Sequence, residues 1–279
     1  MYIRKKILFL LPLIFSLSVL SSDIEEIIVK GEYREKSLGE EDSSIVIIQS
    51  EQIKSQAIKH FQQLSHLVPN LNYAASDSRA RYFQIRGIGE RSGYQGTPNS
   101  SVGFLIDDID YSGQGGIATL FDVDQVEVFR GPQGSRSGAN ALAGLIYIKT
   151  KDPTEKFEGT SELTLGDYGT QNIGIAFGGP MQNKKLKYRL VLRTDYADGF
   201  RKNIYLNKSD TSKKDELTFR YKLNWELNET TNLDFLVSKV DMDDPADIWT
   251  IDGSLNTLSD RPGMDSQKTN TYGIKIFKN

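Results

Sequence analysis

From Phe157 onward, apolar and polar positions alternate along the chain. In Tyr188–Ala197, Tyr188, Leu190, Leu192, Thr194 and Tyr196 fall on one face, and Arg189, Val191, Arg193, Asp195 and Ala197 on the other. In Leu217–Asn228 one face carries Leu217, Phe219, Tyr221, Leu223, Trp225 and Leu227. The opposite face carries Thr218, Arg220, Lys222, Asn224, Glu226 and Asn228. A period of two is that of a β-strand, whose successive side chains point to opposite sides. About six such segments, near residues 157–166, 170–178, 185–197, 215–228, 231–241 and 268–278, predict long strands joined by polar turns. A soluble antiparallel sheet alternates too. Strand length favours a membrane barrel, because a tilted strand crosses a bilayer in ~9–11 residues. Tyr188 and Tyr196, near strand ends, suit the aromatic girdles of such barrels.

The preceding stretch, Ser43 to Lys149, has a different texture: short apolar runs between Gly-rich, polar segments. Strands are expected at Ile45–Ile48, Tyr82–Arg86, Val102–Ile106, Gln125–Phe129 and Gly144–Thr150. A helix is expected from Glu51 to about Ser65, with Ser50 as N-cap, Ile53, Ala57, Phe61 and Leu64 as its apolar face, and Pro69 beyond its end. Gly87–Ser101, Ser112–Thr119 and Gly131–Asn140 read as long loops, which in a compact domain are usually functional or packed against something else. Ahead of this domain, Gly31–Asp42 is polar, charged and without periodicity, and reads as a flexible linker.

The chain starts with Arg4, Lys5 and Lys6, an apolar run from Ile7 to Leu20 of roughly 14 residues, and small residues Ser21 and Ser22. That order is the one of a secretory signal peptide, and the run is short of the ~20 residues of a spanning helix. Cleavage is expected beside Ser22. No cysteine occurs, so disulfides, thiolate chemistry and a lipoprotein signal are excluded. Two histidines, His60 and His66, leave almost no material for an imidazole metal site, and their spacing of six puts them on different helix faces. Net charge is −3, which gives no reason to expect nucleic acid. Mean hydropathy of −0.42, with no long apolar run beyond the start, argues against a bundle of membrane helices but not against a barrel, whose strands average low. Asp107, Asp108 and Asp110 follow a strand and read as a turn with capping aspartates rather than a cation site. GPQGSRSG at Gly131–Gly138 is a backbone-dominated turn, and with no Gly-Lys-Ser/Thr after it, it is not a phosphate loop. No Ser/His/Asp set has supporting context, so no enzyme activity and no cofactor are expected.

The stretch from Tyr82 to Pro153 resembles the plug of TonB-dependent outer-membrane receptors. FQIRGIG at Phe83–Gly89, VGFLIDDIDYSG at Val102–Gly113 and DQVEVFRGPQGSRSGANALAGLIYIKTKDP ending at Pro153 are similar to three plug signatures of that family in order. EEIIVKGEYRE, from Glu25, resembles the coupling box and its flank. One departure is Ala141-Leu142-Ala143 before Gly144, where the family commonly has a more polar residue and a second glycine. The resemblance implies an α+β plug domain followed by antiparallel transmembrane β-barrel strands. The barrel would be incomplete: about six of an expected ~22 strands, since six leave no lumen. The organisation expected is a signal peptide at 1–22, TonB box and flexible linker at 23–42, plug at 43–152 and the start of the barrel at 153–279.

The resemblance further implies energy-coupled import of a scarce solute across the outer membrane, a ferric siderophore first, with haem, cobalamin or an oligosaccharide as alternatives. Partners would be TonB, outer-membrane lipid and a small-molecule solute such as an iron chelate. The TonB box would comprise Glu26, Ile27, Ile28, Val29 and Lys30, whose β-branched residues suit pairing with an exposed sheet edge. The linker would extend at most about 40 Å. Arg86, Glu127 and Arg130 would pair with lumen-facing barrel charges. Arg91, Tyr94, Gln95, Asn99 and Gln114, on long polar loops, are the candidates for ligand contact. Two other readings are weighed. A transcription-regulating receptor would carry an extra domain before the coupling box, where only about three residues follow the signal. A secreted β-rich binding protein would lack the plug signatures.

Overall fold

The computed structural model describes residues 27–32, 34, 36–75, 78–93, 99–114, 117–182 and 184–278. The signal segment, Glu26, Tyr94 and Gln95 lie outside these residues. The chain enters with β1 (Ile28–Val29), paired antiparallel with β2 (Lys36–Ser37), and a 3-10 turn at Leu38–Glu40 follows. The Leu38 amide donates to the Ile27 carbonyl at 2.9 Å. The described part of Gly31–Asp42, expected as a flexible linker, is therefore locally ordered by backbone pairing that its polar composition does not announce.

Next come β3 (Ile45–Gln49), α1 (Ser50–Ser55), α2 (Phe61–Leu64), β4 (Leu71–Ala74), β5 (Tyr82–Ile85), β6 (Val102–Ile106), β7 (Ile109–Asp110), β8 (Val123–Phe129), α3 (Gly134–Ser137) and β9 (Gly144–Thr150). Five of these strands make one sheet in the order β3-β8-β9-β6-β7, with β6 and β9 parallel. β4 and β5 form a separate hairpin. Both sheet faces are covered, so β9 buries Ile146 and Ile148 on one side and Leu145 and Tyr147 on the other. A strand buried on both faces reads as a continuous apolar run, as GLIYIKT does. The larger core centres on Phe61, Phe83 and Phe104, whose ring centroids lie 5.2–5.4 Å apart.

The single helix expected over Glu51–Ser65 is instead two short ones. Ala57 takes φ +53°, which ends α1, and the Ile58 amide bonds back to the Ile53 carbonyl at 3.1 Å. The bend lets Ile53, Ile58, Phe61 and Leu64 all reach the core, while Ala57, expected there, is exposed. Ser50 is the first helical residue rather than the cap. His60 caps α2, with Nδ1 accepting from the Gln62 amide at 3.3 Å while the Gln63 side chain accepts from the His60 amide. A reciprocal cap of this kind restarts a helix in mid-run.

The rest of the chain is a wall. β10 (Glu158–Gly166), β11 (Thr170–Pro180), β12 (Leu186–Ala197), β14 (Lys214–Asn228), β15 (Thr231–Ala246) and β17 (Gly263–Lys278) form one antiparallel sheet in that order. The short strands β13 (Lys202–Asn203) and β16 (Asn256–Thr257) pair in parallel and join the two long loops at one end. At the other end the strands are linked by residues 181–185 and 229–230. Apart from the three-residue β10–β11 turn on the long-loop end, short turns lie at one end and long loops at the other, the habit of outer-membrane barrels, whose long loops are outside the cell.

The wall is inside-out. Arg193 is 1% exposed, and Arg189, Glu216, Thr218, Arg220, Lys222, Asp244 and Asp265 are buried too. On the opposite face Leu165 is 70% exposed and Ile274 67%, with Leu163, Ile173, Ile175 and Leu192 also open. A sheet that buries its charges and bares its leucines is stable only with hydrocarbon outside and a matched polar filling inside. The plug sheet supplies that filling. It approaches the wall at two glycines: a Cβ on Gly174 would lie 2.7 Å from the Phe121 ring, and one on Gly273 would lie 3.2 Å from Ile109 Cδ1.

Ile175 offers a direct check on the outward face. Ile175→Lys in the full-length protein is expected to cost about 2–4 kcal/mol in vesicle unfolding titrations, as lipid-facing lysines do near the bilayer midplane. A change within about 0.5 kcal/mol, usual for a water-exposed site, would contradict the outward-facing assignment.

Candidate functional site

Two assemblies carry the functional chemistry: the docked amino-terminal segment, and the charged seam between plug and wall. In the first, Val29 is fully buried in a small cluster with Leu105, Phe129, Ala141, Leu145 and Tyr147. The Lys30 and Gly31 amides donate to the two carboxylate oxygens of Glu127 at 2.7 and 2.8 Å. The Gln125 side-chain amide donates to the Ile28 carbonyl at 2.9 Å, and Lys30 Nζ reaches Asp124 at 2.5 Å. Strand alternation on β8 places Gln125 and Glu127 on one face, so they clasp one short stretch of backbone. Burial pushes the Glu127 carboxyl above its usual range, offset in part by the two amides. Glu127 was expected to pair with the wall. It holds the amino-terminal segment Lys30–Gly31 instead, because β8 lies inside the plug sheet and both of its oxygens are used there.

The other two charges expected at the boundary behave differently. Arg86 is exposed, with φ +54°, and Arg130 is half-buried, its amide bonded to the Ser44 carbonyl at 2.7 Å. Neither forms an ion pair among the described residues. The residues that do bridge plug and wall are others. Asp122 takes a two-pronged hydrogen bond from Arg189 at 2.6 and 2.7 Å, and Arg220 lies 3.7 Å away. Asp107 meets Lys222 at 3.0 Å and accepts from the Thr150 amide and hydroxyl at 3.0 and 2.5 Å. Arg79 meets Asp244 at 2.8 Å and Glu216 at 3.1 Å, Arg81 pairs with Asp265, and Lys59 meets Glu162 at 2.7 Å. Asp107 and Asp108 both take positive φ, +49° and +69°, forming the β6–β7 turn that aims their carboxylates at the wall. Among the described residues no group of three or more His, Cys, Asp or Glu could hold a metal.

These pairs are unequal. Asp122 and Arg189 are 1% and 3% exposed at their side chains, whereas Asp108 and its partner Lys275 are 27% and 39% exposed. Removing one member of a buried pair strands the other charge and costs about 3–5 kcal/mol. An open pair contributes about 0–1 kcal/mol. Asp107 belongs with the strong ones. Burial alone would raise its carboxyl, but Lys222, Lys149 and the Thr150 hydroxyl hold it at about 2.

Of the ligand-contact candidates, Arg91 and Asn99 are exposed, and Gln114 is exposed with its side-chain oxygen 3.4 Å from Gln267 Nε2 on β17. Tyr94 and Gln95 lie outside the described residues.

This geometry defines a plug seated against strands of an outward-apolar barrel. Residues 37–145 match the family model described as TonB-dependent Receptor Plug Domain. The pesticin receptor of Yersinia pestis is 24% identical over 192 residues, covering 68% of this chain and 28% of that protein. The ferripyoverdine receptor of Pseudomonas aeruginosa is 23% identical over 139 residues, 50% of this chain and 16% of that one. Among solved structures, the ferric yersiniabactin uptake receptor FyuA from Yersinia pestis superposes with a TM-score of 0.75 at 21% identity, covering 85% of this chain and 38% of that one. The Pseudomonas aeruginosa ferripyoverdine receptor bound to ferripyoverdine gives 0.69 at 18% identity, covering 89% and 34%. Residues 37–145 match that plug family, and the plug and the strands after it share the fold of these receptors. The chain spans about a quarter of the length of the pesticin receptors it matches.

Asp122→Ala in the full-length receptor is expected to lower the plug's denaturation midpoint by the equivalent of about 3 kcal/mol, and Lys275→Ala, which leaves Asp108 paired with Arg136, by less than about 1 kcal/mol. Equal losses in a urea titration would contradict the ranking. The Asp107 carboxyl sits at about 2 in the fold, against 3.8 for an ordinary aspartate. A depressed carboxylate stabilises above its unfolded pKa and loses that stabilisation as pH falls through the folded one. The stability gap between the native protein and Asp107→Asn should therefore be flat above about pH 5 and shrink from about pH 4 towards pH 2.

Proposed function

We propose that the full protein is an outer-membrane importer driven through TonB, and that its solute is a ferric siderophore. The observation that carries this is the docked segment at Ile28–Gly31. It is extended, is paired with β2 by only two residues, and is clasped by two side chains on β8. A strand so briefly paired is suited to exchange its partner for an exposed sheet edge on another protein, which is the mode of β-augmentation. In this reading Glu26 to Lys30 form the TonB box, and residues 23–42 the tether behind a signal peptide at 1–22. The plug spans 43–152 and the barrel starts at 153. TonB withdraws the segment from Gln125 and Glu127 and pulls on the plug.

The solute assignment rests on relatives named as receptors for ferripyoverdine and ferric enterobactin, and on the fold shared with a ferric yersiniabactin uptake receptor. A second solute class is favoured by one relative, a vitamin B12 transporter of Vibrio vulnificus, 24% identical over 158 residues. Arg91, Tyr94, Gln95, Asn99 and Gln114 remain the proposed plug contacts for the solute.

The test is uptake by the full-length receptor in cells lacking other iron receptors. The probes are iron-55 complexes of yersiniabactin, pyoverdine and enterobactin, with labelled cobalamin alongside. Import of one iron complex supports the reading, and import of cobalamin alone replaces it with the second. Ile28→Pro removes the β-bridging amide and fixes φ. It is expected to abolish uptake of that probe while leaving its binding to whole cells unchanged. Normal uptake by this variant would refute the assignment of the TonB box.

A further inference from the structure

The two long loops, residues 198–213 and 247–262, meet on one buried carboxylate. Asp247 is 2% exposed, and its Oδ2 accepts from Asn203 Nδ2 at 2.8 Å, from Thr211 Oγ1 at 3.1 Å and from Thr257 Oγ1. Asn203 is fully buried too. It also donates to the Ser259 carbonyl at 2.8 Å, while its side-chain oxygen accepts from the Leu206 amide at 2.8 Å. Backbone bonds close the join. The Asp247 amide donates to the Thr211 carbonyl, the Lys202 amide to the Leu255 carbonyl and the Ile204 amide to the Thr257 carbonyl, at 3.0–3.1 Å. Connecting loops are ordinarily the mobile part of a fold. Here side-chain donors from both loops converge on one oxygen, and losing it would leave buried polar groups short of an acceptor.

The roots of the same loops rest on the plug. Glu216 near the start of β14, Asp244 near the end of β15 and Asp265 near the start of β17 are all buried on the inner face. Asp244 and Asp265 are register partners on adjacent strands, where like charges repel. Plug residues 78–81 lie among them. Ser78 Oγ is 3.0 and 3.1 Å from the two aspartates, Arg79 meets Asp244 and Glu216, and Arg81 pairs with Asp265. Lys214 Nζ donates to the Ser78 carbonyl at 3.1 Å and to Asp244 at 3.0 Å. Without the two arginines, Lys214 would be the one base left among these three carboxylates.

We propose that the two long loops are one rigid body, locked within itself by Asp247 and set in place on the barrel by Arg79 and Arg81 of the plug. The loops then move together, and the seating of the plug, rather than the strands alone, fixes where they stand. Anything that touches both loops meets a preordered surface, without the cost of ordering them.

Electron–electron distance measurements on the full-length receptor in lipid nanodiscs test both halves. The chain has no cysteine, so spin labels can be placed on exposed residues at will. Tyr205→Cys with Leu258→Cys reads loop against loop, and Tyr205→Cys with Leu192→Cys reads loop against strand. Each pair should give one narrow distance distribution in the otherwise native protein. Asp247→Leu removes the acceptor and should widen the loop–loop distribution by about twofold or more. Asp247→Asn, whose amide oxygen can take the place of Oδ2, should keep the native width. A loop–loop distribution that stays narrow in Asp247→Leu, or widens as much in Asp247→Asn, overturns the lock.

Arg79→Gln with Arg81→Gln should widen the loop–strand distribution by about twofold and leave the loop–loop one unchanged, because the body shifts without coming apart. Adding Asp244→Asn and Asp265→Asn to that variant removes the repulsion and should narrow the loop–strand distribution again. A loop–strand width unmoved by loss of the arginines, a loop–loop width that grows with it, or no recovery on removing the two aspartate charges overturns the seating on the plug.

Discussion

Charge placed on the inner face of a lipid-bound wall has to be met by charge from something inside it. That constraint organises this molecule. Arg189, Arg193, Arg220 and Lys222 are buried on the wall's inner face, and Glu216, Asp244 and Asp265 beside them. Left unmatched, each would carry the desolvation penalty of a lone buried ion. The plug answers most of them residue by residue: Asp122 to Arg189 and Arg220, Asp107 to Lys222, Arg79 to Glu216 and Asp244, Arg81 to Asp265. Apolar packing builds the plug's own core, but these pairs fix where the plug sits.

A plug held by ion pairs can be both seated and movable, because such pairs differ so much with burial. The docked amino-terminal segment belongs to the same economy of contacts. One buried valine, two amides on Glu127, the Gln125 amide on the Ile28 carbonyl and the Lys30–Asp124 pair hold it.

The wall was legible in the sequence because alternation is local. Residues 215–228 state their two faces outright, and the structure starts β14 one residue earlier, at Lys214, and ends it at the same Asn228. Five plug strands, β3, β5, β6, β8 and β9, were legible as short apolar runs, with ends within two residues of those observed; β4 and the two-residue β7 were not, being too short and too polar to stand out. The single helix failed because Ala57 and Ile58 trade places when tertiary packing bends the chain. The seam pairs were not legible. Asp122 and Arg189 lie 67 residues apart, and nothing local says which of many acids meets which base. Glu127 was recognised as a special charge and given the wrong partner, since strand spacing cannot say which side of a sheet faces the wall and which receives the amino-terminal segment. The alternating charges on the inner face, Arg189, Arg193, Arg220 and Lys222, were the available signal that the plug had to carry matching acids.

The account depends most on which way β14 faces. With no native cysteine, single cysteines can be placed along the strand of the full-length receptor in vesicles and spin-labelled. Labels at Leu217, Phe219, Tyr221, Leu223 and Trp225 should be relaxed by oxygen dissolved in the bilayer and shielded from a water-soluble nickel chelate. Labels at Thr218, Arg220 and Lys222 should be shielded from both by the plug. Odd-numbered positions relaxed by the nickel chelate, or no alternation between odd and even, would contradict a wall with lipid outside and a plug within.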